Sequence, residues 1–199
     1  MCSIAGMINL KKNYLNYKSY NTLIVRDMAE SMRHRGPDSW GEWVGEHAAF
    51  SHSRLAVIDP LGGKQPMSRT VDGYEFVITY KGELYNSADL KKNLSGFGYI
   101  FSTTSDTEIL LYAYIHYGEK CAEKLNGIYA FCIWDSMRQR VFACRDRFGV
   151  KPFFYTVMDD TVLFSSEIKG LFRHPAFSAA VDKVGLQELF AISPARTQG

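Results

Sequence analysis

Only an initiator methionine precedes Cys2, so removing it leaves a thiol and a free α-amine on one residue. Peptide α-amines titrate near about 7.7–8.0 and thiols near about 8.5, so a modest environmental shift lets the amine take the thiol proton at neutral pH. An N-terminal amine serving as the base for its own side chain is an established nucleophile arrangement. Most cysteines are small buried hydrophobes, and Cys2 needs supporting residues before it reads as a nucleophile. A retained Met1 would turn the amine into an amide with no basicity. The other cysteines (Cys121, Cys132, Cys144) form no C-x-x-C pair and are too sparse for the disulfide framework of a secreted domain, which places the protein in a reducing cytoplasm. His34 and His52 lack a partner at metal-ligand spacing and read as structural, so no metal site is expected.

The elements that must position Cys2 belong to one domain. The chain has 199 residues, 46% apolar and 22% charged, which excludes disorder as the main state. Its 23 basic and 21 acidic residues leave a net charge of +2 with no long block of either sign, so nucleic acid is not an expected partner. No stretch approaches the ~18 uninterrupted apolar residues of a membrane span, and the lysines near the start follow the apolar run, the reverse of a signal peptide.

The opening CSIAGMIN reads as a buried strand, so position 2 lies at the edge of structure. Tyr20, Leu23, Ile24, Met28 and Met32 recur at helical spacing between Lys18 and Arg33, and RGPD (35–38) ends the pattern. Residues 41–59 suggest two adjacent strands and 74–85 another. Asn86 is placed to cap a short helix through Leu94. Ser105 and Glu108 match a capping box ahead of Ile109, Leu110, Ala113 and Tyr117. GIYAFCIWD, RVFACRD, PFFYTVMD and TVLFSSE then read as one antiparallel meander. Helices gathered between two groups of strands favour an α+β layered sandwich over a doubly wound sheet.

Nine segments in order, MCSIAG, RHRGPDSWG (33–41), SHSRLAVID (51–59), GGKQPM (62–67), YKGELYN (80–86), TSDTEILL (104–111), LNGIYAFCIWD (125–135), RDRFGVKPFFY (145–155) and FSSEIKGL (164–171), resemble the glutaminase domain of glutamine-hydrolysing asparagine synthetases. That family belongs to the class II glutamine amidotransferases, which are N-terminal nucleophile hydrolases. The resemblance implies a four-layer αββα sandwich of two antiparallel sheets. It divides the chain into an amidotransferase domain over residues 1–180 and, over 181–199, the start of a linker to a missing ATP-dependent synthetase domain.

The activity implied is hydrolysis of the glutamine side-chain amide to glutamate and ammonia through a Cys2 thioester, the ammonia passing to the synthetase domain for asparagine formation. By resemblance, Gly82 supplies an oxyanion N–H and Arg54 binds the substrate α-carboxylate. Asp106, with Glu83 and the segment Leu55, Val57 and Ile58, completes the substrate pocket. No cofactor is expected in this domain; ATP and Mg²⁺ go to the missing one. Glutamine, the synthetase domain and a possible homodimer mate are the expected partners. Arg33, Arg35, Asp38, Arg145, Asp146 and Arg147 are expected to form ion networks around the pocket.

Two residues depart from the family pattern. Ser3 stands where the family has glycine, which would allow an unusual backbone angle, and Lys81 stands where it has the oxyanion asparagine. Losing one such donor costs on the order of 10² to 10³ in turnover unless something replaces it. Lys81 could donate to the oxyanion, protrude into solvent, or fill the pocket and lower the basicity of the α-amine. An active glutaminase, an impaired amidotransferase-like scaffold, and the glutaminase half of a related amide-forming synthetase all stay open at this level.

Overall fold

The computed structural model describes residues 2–55 and 62–192. Two antiparallel sheets lie face to face. One has the strand order β2 (Ser39–Val44), β3 (Ala48–Arg54), β1 (Ser3–Ile8), β9 (Thr161–Ser165) and β8 (Phe154–Met158). The other runs β4 (Met67–Val71), β5 (Tyr74–Leu84), β6 (Gly127–Asp135) and β7 (Arg140–Arg145). Helix α1 (Lys18–Glu30) and the short α5 (Ile168–Leu171) cover the outer face of the first sheet. Helices α2 (Ser87–Gly96) and α3 (Asp106–Tyr117), followed by the single turn α4 (Cys121–Lys124), cover the second. A last helix, α6 (Lys183–Ile192), follows the sandwich.

Three apolar layers hold this αββα stack together, as the period-2 alternation of the strands requires. Met28, Val25 and Ile24 of α1 pack on Ala5, Met7 and Leu163. Ile4, Phe50, Val77, Ala130, Trp134 and Phe164 fill the space between the sheets. Ile78, Tyr80, Phe131 and Ile133 meet Leu94, Leu110 and Tyr114 on the far side. Among the described residues no helix is long and apolar enough to cross a membrane.

Several local expectations change in the fold. The buried face of α1 is Asn21, Ile24, Val25, Met28 and Ala29, while Tyr20 and Leu23 are exposed. Asn86 occupies the N-cap position of α2 without capping it. Its amide instead donates to the Lys124 carbonyl and accepts from the Asn126 N–H, which ties the start of α2 to the chain entering β6. Ser105 does cap α3, accepting from the Thr107 N–H at 3.2 Å. Glu108 does not reach back to it, because its carboxylate is engaged by the backbone and hydroxyls of Ser102 and Thr103 and by Arg69.

The four C-terminal strands form two hairpins in different sheets rather than one meander: β6 pairs with β7, and β8 with β9. The chain crosses between sheets through residues 146–153. Asp146 organises that crossing, accepting from the backbone N–H groups of Tyr129, Val150 and Lys151. Arg145 donates to the carbonyls of Lys151 and Gly149. The expected ion network at RDRFGVKP is thus a set of charged side chains satisfying a loop backbone. Ser3 lies in regular strand opposite Ser53, so no unusual backbone angle is needed there.

Candidate active site

Cys2 emerges just before β1, and β1 is central in its sheet, so the N-terminus is delivered to the end of the sandwich. The thiol donates to the Leu55 carbonyl at 3.4 Å, and the Leu55 N–H donates to the sulfur at 3.3 Å. A cavity of about 230 Å³ opens beside it. Cys2, Arg54, Leu55, Lys81, Gly82, Glu83 and Asp106 all line it, so seven of the nine residues singled out from the sequence converge on one space. Val57 and Ile58 lie outside the described residues.

Strand β5 builds one wall. Its partner β4 begins opposite Ile78, so beyond that point the edge of β5 pairs with no strand among the described residues. Side chains take over: the Tyr80 N–H donates to Gln65 Oε1 at 2.6 Å and the Leu84 N–H to Asp106 Oδ2 at 3.3 Å. Backbone N–H groups alternate between the two edges of a strand. Gly82, midway between Tyr80 and Leu84, therefore directs its N–H to the same open edge, at the cavity it lines. A Cβ at Gly82 would sit 2.3 Å from the Ile128 carbonyl oxygen, so the close pairing with β6 admits only glycine.

The acidic wall comes from the start of α3. Asp106 is buried and accepts from the Tyr80 hydroxyl at 2.7 Å. Burial raises its carboxyl above the ordinary value, against the hydrogen bonds from Tyr80 and the backbone. Gln65 closes the space between β5 and α3, its amide donating to Thr107 Oγ1 at 3.1 Å.

The basic wall draws on both sheets. Arg54, buried, ends β3. Arg35 is brought in by RHRGPD, where the backbone at Gly36 runs so close to β3 that a Cβ would meet the Ser53 carbonyl at 2.3 Å. Arg35 pairs with Glu167, which also binds Lys169 at 3.0 Å and His34 at 3.1 Å. Burial alone would raise the Glu167 carboxyl, but Lys169 and Arg35 hold it at about 2. Lys151 arrives on the crossing loop.

Lys81 points inward. The residue is 3% exposed, and its Nζ is enclosed without a hydrogen-bond partner among the described residues. Burial, with Arg35, Lys151 and Arg145 nearby, brings its ammonium down to about 7 against the pull of Glu167. The solvent-facing alternative for this side chain is thereby excluded. His52 beneath it donates from Nε2 to the Tyr80 carbonyl at 3.1 Å, and burial pushes its imidazole down to about 3. His52 is thus a neutral strut between the sheets.

Sequence reasoning missed Gln65 and Lys151 as cavity residues and read Arg35 as purely architectural. GGKQPM and RDRFGVKP contained the first two, but nothing local shows that these loops fold over Cys2.

A family profile described as glutamine amidotransferase domain matches residues 1–198. Asparagine synthetase [glutamine-hydrolyzing] 3 of Bacillus subtilis is 47% identical over 199 residues, covering 100% of this chain and 32% of that protein. A putative asparagine synthetase [glutamine-hydrolyzing] 2 of Methanocaldococcus jannaschii is 35% identical, covering 86% of this chain and 35% of that one. The chain spans about a third of the length of these relatives. In fold it is similar to the glutamine phosphoribosylpyrophosphate amidotransferase of B. subtilis, with a TM-score of 0.70 at 22% identity over 86% of this chain and 43% of that one. Profile, relatives and layer order agree that this chain belongs to the glutamine amidotransferase domain family.

Proposed function

We propose that this chain is the glutaminase portion of an asparagine synthetase-like protein and hydrolyses glutamine to glutamate and ammonia at Cys2. The observation that carries this reading is the convergence of Cys2, the Gly82 edge, Arg54 and Asp106 on one cavity. Arg54 would bind the α-carboxylate through its planar fork, and Asp106 the α-ammonium at the opposite wall, with Glu83 and the segment around Val57 and Ile58 completing the pocket. That grip directs the side-chain amide toward Cys2.

With Met1 removed, the free α-amine takes the thiol proton and the sulfur attacks the amide carbon. The carbonyl oxygen gains the negative charge, which the Gly82 N–H and the Lys81 ammonium stabilise. The α-ammonium returns the proton to the departing nitrogen, releasing ammonia and leaving a γ-glutamyl thioester. Water then attacks the thioester, expelling the thiolate and yielding glutamate. Ammonia would pass to a synthetase portion that supplies ATP, Mg²⁺ and the acceptor, with asparagine as the final product.

The test is glutamate release from glutamine by the methionine-processed chain, lost on Cys2→Ala. A second reading, an impaired amidotransferase-like scaffold, is favoured by Lys81, which places an enclosed ammonium where the family carries an asparagine amide. Wild type indistinguishable from Cys2→Ala, together with activity appearing in Lys81→Asn, would select it.

A further inference from the structure

We propose that Lys81 makes the cavity a receptor for the reaction's own product, its ammonium pairing with the side-chain carboxylate of glutamate so that glutamate competes with glutamine. The inference rests on the glutaminase reading and adds a regulation to the same site.

The argument starts from an incomplete inventory. Lys81 is 97% removed from solvent, lines the cavity with Cys2 and Gly82, and has three donors with no acceptor among the described residues. A buried ammonium without a partner is unfavourable, and its surroundings make it more so. Arg35, Arg145 and Lys151 face it with like charge, while His52, which approaches from β3, is neutral and offers no compensation. The nearby anion, Glu167, is shared among Arg35, Lys169 and His34. The cavity is therefore electropositive on the side where the ligand's side chain ends, and the missing partner is an anion.

Glutamine and glutamate differ at that end alone. The amide is neutral and offers one carbonyl acceptor, whereas the carboxylate carries a full charge and two. A donor placed to stabilise an oxyanion in the transition state also meets the carboxylate of the released product. A neutral amide donor binds that product weakly, while an ammonium binds it through a charge-assisted bond. Since burial leaves Lys81 titrating at about 7, the effect should be largest below neutral pH, where the ammonium persists, and should fade above it.

Calorimetric titration of the full chain carrying Cys2→Ala, which binds without turnover, provides the test. L-Glutamate should bind at least about tenfold more tightly than L-glutamine at pH 6, and Lys81→Met in the same background should remove that preference. Glutamate affinity of the Lys81 protein should also fall about tenfold between pH 6 and pH 8.5 while glutamine affinity holds. The α-amine of residue 2 titrates in the same window, so the pH series is read against that of Lys81→Met, and Lys81→Asn takes its place if the Met variant folds poorly. Glutamine binding with glutamate affinity indifferent to both Lys81→Met and pH would overturn the inference and leave the glutaminase reading standing. Binding of neither amino acid by the folded chain would overturn the reading itself.

Discussion

The Cys2 thiol and the Leu55 backbone form a reciprocal pair: the sulfur donates to the Leu55 carbonyl at 3.4 Å and accepts from the Leu55 N–H at 3.3 Å. Only main-chain atoms of Leu55 take part, so the side chain is replaceable and the N–H is not. Alkylation of Cys2 by iodoacetamide, followed on the first tryptic peptide of methionine-processed protein, should proceed within twofold of wild type in Leu55→Ala. Leu55→Pro, which deletes the donor, should slow it roughly tenfold. Equal rates in all three proteins would show that the pair does not position the sulfur.

Lys81 should depress stability at and below neutral pH. An unfolded lysine titrates near about 10.4, whereas burial brings the native side chain to about 7. Between those values the unfolded chain binds a proton that the native one lacks, so stability climbs as pH rises through the window, and the full deficit applies below about 7. Lys81→Met should therefore raise Tm at pH 6.5 by about 5–10 °C, corresponding to about 2–4 kcal/mol. The gap should narrow by pH 9.5. Melting of the Met variant at or below wild type at pH 6.5 would mean that the ammonium is not costly where it lies.

At Asp106 fold and function should separate. Burial raises the carboxyl, so its ionised form costs stability as pH rises through the carboxylate range. Asp106→Asn keeps an acceptor for the Tyr80 hydroxyl and the Leu84 N–H while removing the charge. Thermal melting at pH 7 should show no loss. Glutamine affinity should drop by about tenfold to a hundredfold, the worth of a hydrogen bond to a charged group. Unchanged affinity would remove Asp106 from the substrate's ammonium.

Glycine is required at 82 and dispensable at 96. A Cβ at Gly82 meets the Ile128 carbonyl at 2.3 Å and the Tyr129 Cα at 2.7 Å, both backbone of β6, whereas nothing lies within 4 Å of one at Gly96. Gly82→Ala should cost about 1–3 kcal/mol in denaturant unfolding and reduce turnover further by moving the N–H. Gly96→Ala should be neutral or stabilising by up to ~1 kcal/mol. Similar unfolding midpoints for the two variants would contradict the close β5–β6 approach.

Much of the fold could be read locally. The opening strand and the aromatic β6 register as apolar runs because both of their faces are buried, and α1 registers as helical spacing because one of its faces is. Local pattern failed where a residue had a distant alternative. Asn86 carries a capping side chain, yet spends it on Lys124 and Asn126. Alternation marked β6 to β9 as strands but carries no record of partner, and the Asp146 crossing divides them between sheets. On α1, Tyr20 and Leu23 matched helical spacing as well as the buried residues did, and only packing against β1 and β3 separates the two faces.

The amino-acid sequence by itself pointed to Cys2, carried the family and named seven of the sixteen residues that line the cavity, because motif residues are specified by chemistry that leaves little choice of side chain. Tertiary structure decided how those residues are charged and enclosed. Arg35, Gln65 and Lys151 reach Cys2 from three separate loops, and Lys81 faces inward because β5 places positions 77, 79 and 81 between the sheets. Desolvation and the sum of distant charges set the state of that ammonium, and neither quantity exists until the chain is packed.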